Sequence, residues 1–255
     1  MNSFTISRLT AKNNRFDRWS RVFMKNVFSK VLLASGLVMG LTAGTSMAQT
    51  APDVKRGEAL YMQGDMQRGI LACVACHGVG GNSPLAMYPH VAGLPEGYTI
   101  AQLKNFQVPE GATKAARTNP DGTPTLMAPT VLQMNDQDMR DLAAYIAGLE
   151  LTNPAFAKNA GDVDFVHRGR QIYRAGIPER NVPACASCHG AEGKGMPELY
   201  PFLSGQHPEY IEQQLHAFAS GARQHGGVEN QMGTIADRIN AADIKAVSDY
   251  AAGIR

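Results

Sequence analysis

Cys73-Val74-Ala75-Cys76-His77-Gly78 reads Cys-x-x-Cys-His-Gly, and the pattern returns as Cys185-Ala186-Ser187-Cys188-His189-Gly190. The two stretches lie 112 residues apart, and the match extends beyond them in both directions. Upstream, Arg56-Gly57 recurs as Arg168-Gly169, Tyr61 as Tyr173 and Gly64 as Gly176. Downstream, Tyr88-Pro89 with Gly93 recurs as Tyr200-Pro201 with Gly205, and Tyr98, Leu103 and Phe106 recur as Tyr210, Leu215 and Phe218. Farther on, Met127, Asp138 and Tyr145 match Met232, Asp243 and Tyr250 at an offset of 105. The first copy therefore holds seven extra residues, in the Gly/Pro/Thr-rich stretch 108–125. Repetition at a fixed offset sets the architecture before any element is assigned. It gives two tandem domains of about 100 residues, 52–150 and 162–255. Residues 151–161, with Pro154 and few apolar anchors, join them.

Within each unit the apolar spacing is helical. Asp53 to Gly64 reads as an amphipathic helix with Val54, Leu60 and Tyr61 near one face and Asp53 at its N-cap. Asp136 to Gly148 has acids in its first turn, Met139, Leu142, Ala143 and Ile146 on one face, and a terminal Gly. Ala241 to Gly253 repeats it, and further helices are expected at Ile100–Phe106 and Pro208–Ala219. No window sustains strand alternation, so the fold class is all-α.

All four cysteines fall in the two motifs. Cys-x-x-Cys-His is the attachment sequence for c-type haem. Two thiols three positions apart reach the two vinyl groups on one edge of a porphyrin, and the next residue, His, stands under the iron as an axial ligand. Cys73, Cys76, Cys185 and Cys188 are thus the covalent anchors of two haem c groups, with His77 and His189 as axial ligands. A four-cysteine zinc site would need both pairs together and leaves each following His without a role. A thioredoxin-type dithiol needs a βαβ context that is missing, and a disulfide within one motif closes too short a loop to gain much. A buried porphyrin also supplies apolar contact that a 100-residue helical domain is short of.

Among twelve methionines, Met127 and Met232 pair across the copies before the last helix, in what reads as a loop. They are the candidate sixth ligands, since a thioether is a soft donor that favours ferrous iron. Met62, Met134 and Met139 read as packing residues, and Met87 and Met196 have no counterpart in the other copy. His90, His167, His207, His216 and His225 have no histidine at the equivalent position, which argues against bis-His ligation and leaves them a surface or linker placement. Pro89 and Pro201 each lie twelve residues after their axial histidine. A backbone carbonyl there is suited to accept the imidazole Nδ1–H and fix the ring.

The N-terminal 48 residues read differently from the rest. Seven basic residues and one acid, Asp17, precede or flank an apolar run, Val31 to Gly44, which ends in Ser46-Met47-Ala48. That is a secretory signal peptide, 1–48, with cleavage expected after Ala48 and Met24 as an alternative start. The run of about 14 residues is short of the roughly 20 that span a bilayer, so membrane association through a retained anchor is the lesser reading. The 255-residue chain has 24 Lys+Arg against 22 Asp+Glu, a formal +2. Seven of the bases and one acid lie in the signal, so 17 bases and 21 acids follow it, a formal −4. A basic surface for nucleic acid is excluded.

Cys-x-x-Cys-His-Gly, then Tyr-Pro-x-x-x-Gly, then a Met and a final helix carrying Ala144-Tyr145, resembles a class I cytochrome c domain. Two such domains behind an export signal resemble the dihaem cytochrome c4 family over essentially all of residues 53–255. The resemblance implies that the Pro carbonyl bonds the axial His, that the Met is the sixth ligand, and that Gly57 and Gly169 pack against aromatic residues of the final helices (Tyr61 with Tyr145, Tyr173 with Tyr250). Met127-Ala128-Pro129 is similar to the family's ligand loop, whereas Met232-Gly233-Thr234 departs from it. The implied function is a periplasmic electron carrier working by outer-sphere transfer at the exposed haem edge. Its partners would be redox proteins, a respiratory electron donor complex and a terminal oxidase or reductase. The alternative is a dihaem electron-accepting subunit of a periplasmic dehydrogenase, of flavocytochrome or alcohol dehydrogenase type. A dihaem peroxidase needs an accessible iron, and the paired methionines oppose it. The extra residues of the first copy read as a docking element.

Overall fold

A computed structural model describes residues 50–224 and 230–255. The expected signal segment 1–48 and His225 lie outside the described residues. Among the described residues ten α-helices run in order: α1 (Val54–Gln63), α2 (Val74–His77), α3 (Glu96–Asn105), α4 (Ala128–Val131), α5 (Asp136–Ala147), α6 (Val163–Ala175), α7 (Ala186–His189), α8 (Pro208–Ala219), α9 (Gln231–Ala236) and α10 (Ala241–Gly253). Among the described residues there is no strand, only isolated bridges. Helices α1–α5 and α6–α10 are the two copies.

Local chemistry sets the helix ends. Asp53 caps α1 by accepting from the backbone N–H groups of Lys55 and Arg56. Asn135 and Asp138 form a reciprocal capping box that starts α5, and Asn240 caps α10 through the Asp243 N–H. Helix α3 begins at Glu96, four residues ahead of the expected Ile100, because Pro95 starts it and its first turn is polar. Met232 lies inside α9 rather than in a loop, because the Asn230 side chain accepts from the Gly233 N–H and nucleates a short helix there. Met127 occupies the N-cap position of the one-turn α4.

The first and last helices of each copy cross at glycine. A Cβ added to Gly57 would lie 2.0 Å from the Asp141 carbonyl oxygen and 3.0 Å from Tyr145 Cβ. At Gly169 the same atom would lie 2.3 Å from the Ala246 carbonyl and 2.7 Å from Tyr250 Cβ. Around each crossing sits a core. Tyr61, Ile70, Leu103, Phe106, Val131, Met134, Met139, Leu142 and Ile146 fill the first, and Ile172, Tyr173, Ile211, Leu215, Phe218, Ile244 and Val247 lie in the second.

Buried acids at the crossing are answered by arginines repeated in both copies. Arg56 pairs with Asp138 and Asp141, and Arg68 Nη1 lies 2.7 Å from Asp138 Oδ2. In the second copy Arg168 Nε lies 2.6 Å and Arg180 Nη1 3.1 Å from Asp243. Burial alone would raise the Asp138 carboxyl, but hydrogen bonds from Arg68 and the Asn135 N–H, with the Arg56 charge, hold it below the usual range. Asp243 is held low by the Arg168 hydrogen bonds against the opposing effect of burial. A carboxyl lowered in the folded state stabilises above the unfolded carboxylate range, and that contribution is lost as pH falls through the folded value. The thermal midpoint is therefore expected to stay level from about pH 7 to 5 and to drop below about pH 4. Asp138→Asn, which also weakens the capping box, should lower stability at pH 7 by about 2 kcal/mol and flatten the acid drop. Equal acid sensitivity in the variant would contradict this.

The domains are also joined at their junction. The segment 151–161 is hydrogen-bonded rather than free: Thr152 and Asn153 N–H groups donate to Asn82 Oδ1, and Lys158 N–H donates to Asp249. Within the first copy's extra stretch, Thr118 N–H donates to the Ala222 carbonyl at 2.8 Å, and Gln224 N–H donates to the Ala116 carbonyl at 2.8 Å. That part of the stretch meets the second domain instead of standing free as a docking element. His90 and His207 depart from surface placement for the same reason. His90 is 1% exposed, and its ring stacks on His207 at a centroid separation of 4.1 Å. Gln206 clamps the His90 backbone, accepting from its N–H at 3.0 Å and donating to its carbonyl at 2.9 Å. His167 and His216 are exposed, as expected.

Candidate haem sites

Each Cys-x-x-Cys-His stretch folds as one helical turn, α2 or α7, that ends at a glycine with positive φ: Gly78 at +75° and Gly190 at +78°. At Gly78 an added Cβ would lie 2.2 Å from the Asn82 carbonyl oxygen. Only glycine adopts that conformation freely at so close an approach. The turn buries the histidine, 8% exposed in both copies, while all four cysteines stay half-buried. Burial raises the Cys73 and Cys185 thiols to about 11.

The two imidazoles are fixed in the same way. His77 Nδ1 lies 3.0 Å from the Pro89 carbonyl, and His189 Nδ1 lies 3.0 Å from the Pro201 carbonyl. A carbonyl only accepts, so Nδ1 carries the proton and Nε2 keeps its lone pair. Burial pushes both rings below the ordinary histidine range, against the pull of the carbonyl, and at His189 the Arg223 charge adds to the lowering. The result is a neutral, oriented nitrogen donor in each copy.

Four tyrosines complete this support. Tyr61 and Tyr173 are fully buried, and their hydroxyls donate to the Gly78 and Gly190 carbonyls at 2.7 Å. They pin the residue that follows each histidine. Tyr88 and Tyr200 stand edge-on to His77 and His189, at centroid separations of 6.4 and 5.9 Å. Both pairs recur at the 112-residue offset, which was the available signal. Tyr61 also packs on Tyr145 at 5.4 Å and Tyr173 on Tyr250 at 5.7 Å, the aromatic contacts that the resemblance implied.

The candidate methionines border the same cores. Met127 is half-buried against the first core together with Cys73, Val74, Val91, Leu94 and Ile100, and Met232 against the second together with Cys185, Leu203 and Ile235. Cys73 and Cys185 thus belong to different cores, whereas a four-cysteine site would bring them together. Met134 and Met139 are core residues, and Met62 is 39% exposed. In each copy a thiol pair, a neutral imidazole and a thioether border one apolar core. The residues present fit a covalently held haem.

Known proteins agree with the repeat. The cytochrome c family profile matches residues 54–150 and again 166–253. Cytochrome c4 of Azotobacter vinelandii is 34% identical over 228 residues, covering 89% of this chain and 99% of that protein. The thiosulfate dehydrogenase electron acceptor of Stutzerimonas stutzeri is 31% identical over 210 residues, 82% of this chain and 89% of that protein. The crystal structure of reduced recombinant cytochrome c4 from Pseudomonas stutzeri matches with a TM-score of 0.65 at 30% identity, covering 80% of this chain and 100% of that one. The chain belongs to the cytochrome c4 family and is a dihaem electron carrier built of two tandem cytochrome c domains, each with one covalent haem c.

Proposed function

We propose that the protein is a periplasmic carrier between respiratory donors and a terminal oxidase or reductase. Residues 1–48 would export it, and domains 52–150 and 162–255, joined by 151–161, would each hold one haem between a histidine and a methionine. Cys73 and Cys76, then Cys185 and Cys188, would be the covalent anchors; His77 with Met127 and His189 with Met232 would hold the irons; Pro89 and Pro201 orient the histidines. When bound, haem c supplies a one-electron iron couple. The chain's own part is to keep the donors still. Pro89 and Tyr61 fix the first histidine turn, Pro201 and Tyr173 the second, so little reorganisation accompanies a change of iron charge. A thioether opposite each histidine favours the reduced ion. Among the described residues no helix is long and apolar enough to cross a membrane.

The observation that carries this reading is the recurrence of one donor set in both copies. It predicts that the reduced protein does not take up carbon monoxide rapidly, since the chain would supply two ligands to each iron. Fast uptake of about one carbon monoxide per molecule would point to an open iron and peroxidase-like chemistry instead.

A second reading draws on the relative named as a thiosulfate dehydrogenase electron acceptor. On it, the chain is the electron-accepting subunit of a periplasmic dehydrogenase. It predicts co-elution with a catalytic polypeptide when the protein is purified from its native cells without a tag. Elution free of any such polypeptide would favour the diffusing carrier.

A further inference from the structure

The carbonyl that orients His77 is itself held from the other domain. The Pro89 carbonyl, 3.0 Å from His77 Nδ1, and the His90 N–H belong to one peptide group. That N–H donates to Gln206 Oε1 at 3.0 Å, and Gln206 Nε2 donates back to the His90 carbonyl at 2.9 Å. A trans peptide group is planar, with its oxygen and hydrogen on opposite sides. One rigid plate therefore connects the Gln206 amide to the His77 ring. The clamp is shielded from water, with Gln206 4% and His90 1% exposed. Beside it the His207 ring stacks on His90, and its Nε2 donates to the Ser83 carbonyl at 3.1 Å. Among the described residues neither His90 ring nitrogen has a hydrogen-bond partner. Burial, then the nearby His207, lowers that ring to about 4, so it packs as a neutral group.

The hold runs one way. At the 112-residue offset the residues equivalent to Gln206, His207 and His90 are Leu94, Pro95 and Phe202. Leu94 has no amide, so its position supplies no clamp to the Pro201–Phe202 peptide, whose carbonyl lies 3.0 Å from His189 Nδ1. The difference bears on the imidazoles. An amide that donates through its N–H becomes a better acceptor at its oxygen, by roughly 10–30%. A firm acceptor at Nδ1 fixes the ring and raises its basicity as a ligand. A more basic imidazole favours the ferric ion.

We infer that Gln206 of the second domain is a positioning residue for the first haem site, fixing the Pro89–His90 peptide and through it the His77 ring. His189 receives no matching hold from the first domain. The inference rests on the proposed role of His77 and His189 as axial ligands. It makes the first site complete only when the two domains are docked, and the second site independent of that contact.

The test is NMR of the isotope-labelled, reduced dihaem protein, with solvent exchange of Nδ1–H read separately at His77 and His189. Gln206→Leu puts the first copy's residue at this position. It should speed exchange at His77 about tenfold, the loss of one buried hydrogen bond, and leave His189 within about twofold. The reduction equilibrium constant of the first haem, followed at the ring signals of its own histidine, should rise about threefold, with the second haem unchanged. His207→Ala removes the neighbouring stack but leaves the amide clamp, and should keep both readouts within about twofold of wild type. If Gln206→Leu does not hold two haems, Gln206→Met, of similar length and without the amide, decides by the same readouts. Unchanged exchange and potential at the first site overturn the proposal. Equal changes at both histidines overturn it too, as does an effect of His207→Ala as large as that of Gln206→Leu. Wild-type histidine signals without the ring-current shift of an iron-bound imidazole would instead contradict the axial assignment itself.

Discussion

Replacing Cys73 and Cys76 together by alanine is expected to yield a chain with one haem instead of two and with its first domain unfolded at about 25 °C. The physical reason is the composition of the core. Val91, Leu94, Ile100 and Met127 pack against the first core while remaining partly exposed, and Val79, Leu85 and Leu126 are exposed by 76%, 53% and 76%. A helical domain of about 100 residues buries a smaller fraction of its surface than a larger domain does, and its net stability is on the order of 5–15 kcal/mol. Without the porphyrin, that apolar rim faces water, and the buried His77 loses the iron that its Pro89 contact orients it toward. The second domain has its own core and donor set, so it should stay folded. Haem absorbance per chain should halve, and limited proteolysis should cut within 52–150 first. A fully helical variant with a protected first domain would show that the haem is not part of its core.

The second large effect belongs to the helix crossings. Gly57→Ala and Gly169→Ala would each drive a methyl into a backbone carbonyl, at 2.0 and 2.3 Å. Backbone cannot rotate away as a side chain can, so helices α1 and α5, or α6 and α10, must separate. Overpacking of this kind costs about 3 kcal/mol, which exceeds the ~1 kcal/mol of helix propensity gained by replacing glycine. The affected domain should melt about 10–20 °C lower in a thermal scan followed at its haem band. Gly111→Ala is the control, because a Cβ there meets nothing within 4 Å, although its φ of +77° carries modest strain. A Gly57→Ala midpoint equal to wild type would show that the crossing is looser than described.

The all-α class, the doubling of the chain and the haem attachment residues were legible because each is written locally. Cys-x-x-Cys-His carries its chemistry in five adjacent residues, and the repeat converts single matches into pairs. Helices α1, α8 and α10 were legible from period and caps, as at Asp53. Junction residues were not. His90 and His207 are far apart in the chain and have no repeat counterparts, so nothing local announced that they stack. Arg117 lies in an irregular, Gly/Pro/Thr-rich stretch, where its pairing with the second domain follows from how the two copies pack and not from any periodicity. Met232 reads as a loop residue because a six-residue helix shows too little periodicity to register, and the Asn230 cap that starts it depends on the turn it closes. Tyr61 and Tyr173 stood out as repeated residues, yet the hydroxyl that locks the Gly78 or Gly190 carbonyl depends on the fold.

On the proposed function, each domain holds its iron between one histidine and one methionine, Met127 in the first and Met232 in the second. This ligation is tested most directly by the absorption spectrum of the oxidised protein beside those of Met127→Ala and Met232→Ala. The wild type should show two methionine-to-iron charge-transfer contributions, one lost with each substitution and the other kept. Two unchanged contributions in either variant would contradict it.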